Sequence, residues 1–387
     1  MVYCDVECQG VHWPAHMDDC HFAVIKRVGK GDAHKDDEGG EYVLRDRMNT
    51  SKEEYGATHA HTLLCVRYLG KFLQQHGRLA EAEALFRECL EVRSASLGTK
   101  HLDTLVSMRE LAWLLQAQGN LVAAVPLMRE VLDTTRANLG PEHDHTLSIM
   151  NSLALMLTDK GELNEAESLY REVLDVKLAT LGPRHPCALA LKENLGMLLQ
   201  KQGRLGEAEP LLRGVVEACR ATLGTLHPST LSSINNLGML LSERGKLSES
   251  EPLIREALEA QRTILGALHP STLASLNNLA MLLHMQGKLG QAETLFREVL
   301  ASYRATLGSQ HPSAFISMGN LGLLLEERGK LREAEALFSE ALSGLWRVVG
   351  SAHRDTQGIY IGLLRVLAAQ GKARDVRDVK AQFGGRK

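Results

Sequence analysis

Aromatic side chains make up only 4% of this 387-residue chain. That is too little to fill the wide core of a large globular domain. Long apolar runs are missing too: nothing approaches the ~18–20 residues that cross a bilayer, so no membrane is expected as a partner. Basic charge is not in excess. A formal net charge of -3, with no stripe of Lys and Arg, offers nothing to a phosphate backbone, and no nucleic acid is expected either. Met1-Val2-Tyr3-Cys4-Asp5 lacks the charged-then-apolar opening of a secretory signal, which makes a cytoplasmic setting the expectation. Cysteine usage agrees. Three of the seven cysteines fall within the first 20 residues, and Cys65, Cys89, Cys187 and Cys219 are scattered, unlike a disulfide framework. Catalytic signatures are also absent. There is no Gly-x-Ser-x-Gly elbow, no phosphate loop ending in Gly-Lys-Ser/Thr and no His-Glu-x-x-His, so neither an enzyme nor a small-molecule substrate is expected.

What the chain has is repetition. Gly77, Gly119, Gly161, Gly203, Gly245, Gly287, Gly329 and Gly371 recur every 42 residues. Gly56, Gly98, Gly140, Gly182, Gly224, Gly266, Gly308 and Gly350 keep the same period, and each is followed three residues later by a histidine, from His59 to His353. Three series in one register identify a repeat architecture. Each unit reads as two helices. Between His227 and Gly245, Leu231, Ile234, Leu237 and Leu241 form one apolar face at helical period. Leu247, Leu253, Ala257, Leu258 and Leu265 do the same before Gly266. Glycine closes each helix because it enters the left-handed region without steric cost. Pro186, Pro228, Pro270 and Pro312 occupy the first helical position, where no N–H is needed, which places the preceding histidine at the N-cap. The eight histidines are therefore expected to cap helices, not to hold metal. Small residues recur in the first helix (Gly70, Ala112, Ala154, Gly196, Gly238, Ala280, Gly322) and the second (Ala82, Ala124, Ala166, Ala208, Ser250, Ala292, Ala334), so a close small-on-small approach is expected. Glu83/Arg87, Glu167/Arg171, Glu209/Arg213, Glu251/Arg255 and Glu293/Arg297 read as ion pairs on a solvated face.

The copy Ser275-Leu276-Asn277-Asn278-Leu279-Ala280, with Gln286-Gly287-Lys288-Leu289, Ala292-Glu293, Leu307-Gly308 and His311-Pro312, resembles the 42-residue tetratricopeptide repeat of kinesin light chains and nephrocystin-3-like proteins. The resemblance implies an all-α, right-handed solenoid of about eight helical hairpins over residues 56–371. Residues 41–55 read as an eroded second helix capping the array at one end, and residues 372–387 as a polar capping helix and tail at the other. The heptad coiled coil of kinesin light chains is not found in the sequence, which argues against a kinesin subunit proper.

Residues 1–20 hold a different signal: Tyr3-Cys4, Cys8-Gln9, Trp13, and His16 three residues before Cys20. Thiolates and imidazole are the usual zinc ligands. The order resembles the second half of a MYND-type zinc finger, in which Cys4 and Cys8 would complete one zinc site and His16 and Cys20 the other. The four cysteines of the family's first half are missing. Either the finger is truncated at its N-terminus, or Cys4, Cys8, His16 and Cys20 gather round a single zinc, or the segment is a remnant without metal. Residues 21–40, basic and then acidic with Gly39 and Gly40, read as a flexible linker.

Polar residues of the first helix that packing does not need are candidates for a peptide groove: Asn151, Asn194, Asn235, Asn236, Asn277, Asn278 and Asn320. An amide both donates and accepts, so it can pair with a peptide backbone, or it can bond between repeats and fix their stacking. Arg67 and Arg109 replace the pattern in the first two copies, where they would attract acidic peptide. The reading is a protein–protein interaction scaffold or adaptor that binds protein or peptide partners. The alternatives are a kinesin-light-chain-like cargo adaptor and a regulatory subunit of an enzyme complex.

Overall fold

The computed structural model describes residues 37–351 and 353–383. The proposed zinc ligands Cys4, Cys8, His16 and Cys20, and most of the expected linker, lie outside the described residues. Helix α1 spans Asp37–Tyr55. It starts four residues before the expected boundary at residue 41.

Hairpins follow, each an A helix and a B helix. The A helices are α2 (Ala60–Gln75), α4 (Leu102–Ala117), α6 (Asp144–Lys160), α8 (Pro186–Lys201), α10 (Pro228–Glu243), α12 (Pro270–Met285), α14 (Pro312–Glu327) and α16 (Arg354–Ala369). The B helices are α3 (Leu79–Leu97), α5 (Leu121–Leu139), α7 (Leu163–Leu181), α9 (Leu205–Leu223), α11 (Leu247–Leu265), α13 (Leu289–Thr306), α15 (Leu331–Val348) and the shorter α17 (Ala373–Phe383). No strand occurs among the described residues. The chain divides into two compact units, one ending at Leu111 and one beginning at Ala112.

Each A helix opens on the same device. The histidine before it is extended, and its Nδ1 accepts the backbone N–H two residues on, at 3.1–3.2 Å, in all eight copies from His59 to His353. A threonine adds a second tie. Thr62, Thr104, Thr146, Thr230 and Thr272 donate to the carbonyl of the glycine that ended the preceding helix, at 2.7–2.8 Å. Those glycines take a backbone that other residues resist, with φ 91° at Gly224 and 90° at Gly266.

The small-on-small expectation is corrected in detail. The glycine of the A helix meets a large B-helix side chain: a Cβ at Gly70 would fall 2.5 Å from Phe86, and one at Gly238 would fall 2.6 Å from Ile254. The small B residue lies beside it instead, where Ser250 donates to the Gly238 carbonyl at 2.7 Å. Glycine thus makes room for the ring or branched chain that fills the hairpin.

The Glu/Arg pairs also do more than decorate a solvated face. In the second unit the glutamate turns inward and takes a donor pair from the loop of the next hairpin. Glu209 is buried and bonded by Arg213, Arg244 and Lys246. Glu293 is buried and bonded by Arg297, Arg328 and Lys330. Glu167, Glu251 and Glu335 repeat the arrangement with Gln202/Arg204, Gln286/Lys288 and Gln370/Lys372. The hydrogen bond from Lys246, with its cationic neighbours, holds the Glu209 carboxyl at about 2, down from 4.5. The bonds from Gln286 and Arg255 do the same for Glu251, also at about 2. At the far end α17 has no buried residue, but Phe383 lies edge-on to Trp346 at 5.1 Å and closes the last interface with a polar outer surface.

Two outcomes follow. Carboxylates held below their unfolded value contribute stability above about pH 4.5 and lose it as pH falls toward about 2. The melting temperature should therefore fall steadily across that window in a calorimetric pH series, and Glu209→Gln should flatten the fall. His227→Ala should cost about 1 kcal/mol in urea unfolding, whereas His227→Asn, which keeps a side-chain acceptor at the cap, should restore most of it.

Candidate functional site

Within the second unit, consecutive A helices pack directly on one another: α6 on α8, α8 on α10, α10 on α12 and α14 on α16. Consecutive B helices are bridged by long side chains, as in Arg220–Glu256 and Arg262–Glu298, at 2.7 and 2.8 Å. The A side is therefore the short side of the stack, and the A-helix face turned away from the B helices lines it.

Asparagines dominate one row of that face, and the structure pairs them between hairpins. Asn194 donates to Asn151 at 3.2 Å, Asn320 to Asn277 at 3.0 Å, and Asn236 to Glu193 at 2.7 Å. The second polar residue of each pair thus bonds the first residue of the preceding hairpin. One rung is open: the amide oxygen of Asn235 is buried and accepts nothing, although Asn278 stands at the equivalent place. In the first unit the row is ionic. Arg67 donates to Glu110 at 2.8 Å, and Lys71 lies 3.3 Å from the same carboxylate. Arg109 is tucked in, and burial pushes its guanidinium down from the ordinary arginine value, opposed by Glu110 and reinforced by Arg67. The arginines that the sequence offers to an acidic peptide are thus built into the wall: Arg67 is half of an ion pair and Arg109 is sequestered.

Sequence reasoning missed a second row. Trp113, Leu155, Met197, Met239, Met281 and Leu323 recur every 42 residues, each directly after the small residue of its A helix. None is fully buried. Met197 is 38% exposed and Leu323 42%. Met197 Sδ lies 3.9 Å from the Asn236 amide nitrogen, so the apolar row runs beside the asparagine ladder. The signal was available in the sequence: large apolar residues at the repeat period, displaced from the core stripe. A separate recess of about 380 Å³ opens on the B side, over Leu258, Leu276, Leu279 and Leu283, with the Arg262–Glu298 pair at its rim.

Among the described residues no cluster of three or more His, Cys, Asp or Glu side chains is placed to hold a metal, and no helix is long and apolar enough to cross a membrane.

Stacked two-helix hairpins with capped A helices and an exposed, periodic inner face define an α-solenoid. The sequence pattern of the tetratricopeptide repeat matches six overlapping stretches, 59–137, 114–179, 145–213, 187–263, 231–305 and 271–345. The chain belongs to the tetratricopeptide repeat family. Several solved structures are similar to it. The nearly identical repeats of a Podosopora anserina protein, described as a kinesin light chain, are 28% identical over 52% of this chain and 96% of that one, with a TM-score of 0.47. RapI is 10% identical over 73% and 97% of the two chains, at 0.53. The quorum sensor NprR from B. thuringiensis is 12% identical over 91% and 99%, also at 0.53. The last two are likenesses of fold. A comparison with curated protein sequences finds no match.

Proposed function

We propose that the chain is a protein-interaction adaptor that seats an extended segment of a partner along the A-helix face of its tetratricopeptide array. The observation that carries this is the pairing of two rows at one period: apolar side chains from Trp113 to Leu323, half-buried except for the exposed Met197 and Leu323, beside amides at Asn194, Asn236, Asn278 and Asn320. Apolar side chains exposed at regular intervals mark interaction surfaces, and amides supply both halves of a backbone hydrogen bond. Helices stacked ~8–10 Å apart and a strand rising ~3.3 Å per residue match about three peptide residues to each hairpin. The partner is accordingly a polypeptide, and the array itself has no catalytic, nucleic-acid or membrane role. The thiols of Cys65, Cys89 and Cys219, none of them in a disulfide, suit a reducing, cytoplasmic compartment.

A displayed library of random dodecapeptides tests the reading. The whole chain should enrich binders, and Met197→Glu with Leu323→Glu should lower their affinity at least tenfold while leaving the melting temperature unchanged. Binding undiminished by the double substitution would move the site elsewhere.

The donor set Cys4, Cys8, His16 and Cys20 further supports a zinc-binding N-terminus, since two thiolates or more with an imidazole make a tetrahedral site. Elemental analysis of the purified chain should find zinc at one ion per chain. It should be lost on replacing Cys4 and Cys8 by serine, with the helical circular dichroism of the array unchanged. A chain free of zinc when purified from zinc-supplemented cells would end that assignment.

A further inference from the structure

Four glutamates are buried among the described residues: Glu110, Glu193, Glu209 and Glu293, none more than 7% exposed. Three have cations. Glu110 has Arg67 and Lys71, Glu209 has Arg213, Arg244 and Lys246, and Glu293 has Arg297, Arg328 and Lys330. Glu193 has none. It accepts from the Asn236 amide at 2.7 Å, and the Ser233 hydroxyl lies beside it; no lysine or arginine forms an ion pair with it. Its neighbour Lys192 reaches the other way, to the Pro183 carbonyl at 3.5 Å. Burial pushes the Cys219 thiol, on α9, up from its ordinary value, and the Glu193 charge adds to the rise. A carboxylate withdrawn from water without a counter-charge is strongly disfavoured, so a chain that neutralises every other buried glutamate has left this one in a costly state.

Position in the repeat sharpens the contrast. Glu193 occupies the ladder place filled by Asn151, Asn235 and Asn277 in the flanking hairpins. An asparagine there would hold the rung just as well, as the Asn194–Asn151 and Asn320–Asn277 pairs demonstrate. The negative charge is therefore not needed for stacking. One hairpin further on, the buried amide oxygen of Asn235 is likewise without a donor, while Asn235 itself is 7% exposed. Equivalent places on adjacent A helices, α8 and α10, thus present a carboxylate paired with no lysine or arginine and an amide oxygen that accepts nothing. Met197 is 38% exposed and touches the amide that bonds Glu193, so this part of the ladder borders the open face.

We infer that Glu193 and Asn235 form a specificity site for a cationic side chain, a lysine or an arginine, of the bound partner segment. The inference rests on the groove reading above and adds the chemistry of one anchor. An incoming ammonium or guanidinium supplies the missing charge to Glu193, and an N–H of the same segment reaches Asn235. Burial already pushes the Glu193 carboxyl above its ordinary value, and a cation would bring it back down. The apolar row carries affinity, while the lone carboxylate fixes the register of the segment along repeats that are otherwise alike.

The test sequences the dodecapeptides enriched from the random displayed library by the wild-type chain and by Glu193→Gln, whose amide oxygen can still accept from Asn236. The wild type should select lysine or arginine at one fixed position, and Glu193→Gln should lose that selection while melting no lower. A synthetic peptide carrying the selected lysine should bind wild type at least tenfold more tightly than its glutamine analogue, and the two should bind Glu193→Gln alike. Enriched peptides with no basic position, or the same basic preference in both proteins, would overturn the cation site and leave the groove standing. Enrichment of no peptide at all would overturn both.

Discussion

A hairpin of two amphipathic helices cannot bury both apolar faces by itself, and the rest of this structure follows from that constraint. Each A helix covers part of its surface with its own B helix, and within the second unit α6, α8, α10 and α14 also pack on the A helix of the next hairpin, so stability is shared between neighbours along that unit. Room for the first contact comes from Gly238 and its equivalents, which let Ile254, Phe86 or Phe338 lie against the helix backbone. One face of every A helix is left over. Whatever stands on it recurs at the spacing of the hairpins, and a ladder for a linear ligand is the natural use of such a face.

Polar groups divide between two tasks. On the B side, Glu209, Glu251 and Glu293 fasten each hairpin to the loop of the next with several donors each. On the A side, Asn151, Asn194, Asn277 and Asn320 tie A helices to each other through single amide bonds. The first arrangement is charged and dense. The second is neutral and borders exposed methionine and leucine. On the A helices of the second unit Lys201 lies 3.6 Å from Asp159, whereas Glu193 is bonded by an amide and by no lysine or arginine among the described residues.

Much of this was legible in the chain itself. The hairpin boundaries, the capping histidines and the closing glycines are local chemistry repeated eight times, and local chemistry survives any arrangement of neighbours. The asparagine positions were legible as a row but not as partners, because a bond between residues 43 apart depends on how two helices are rotated against each other. The methionine row escaped notice for a related reason. Apolar residues at helical period look like core, and only the packing of consecutive A helices shows that Met197 and Leu323 sit just outside it.

The sequence alone determined a periodic array of paired helices, since glycine, proline and histidine act through backbone conformation and caps that need no distant contact. Tertiary structure decided which charges are neutralised. Glu209 meets Arg244 and Lys246, 35 and 37 residues away, while Glu193 meets the Asn236 amide and the Ser233 hydroxyl. Spacing pairs Glu209 with Arg213 four residues on, but it does not show that Arg244 and Lys246 also reach that carboxylate or that Glu193 is buried. Desolvation and counter-charge are properties of the surroundings that stacking creates, and they separate a carboxylate met by several cations from one met by neutral donors.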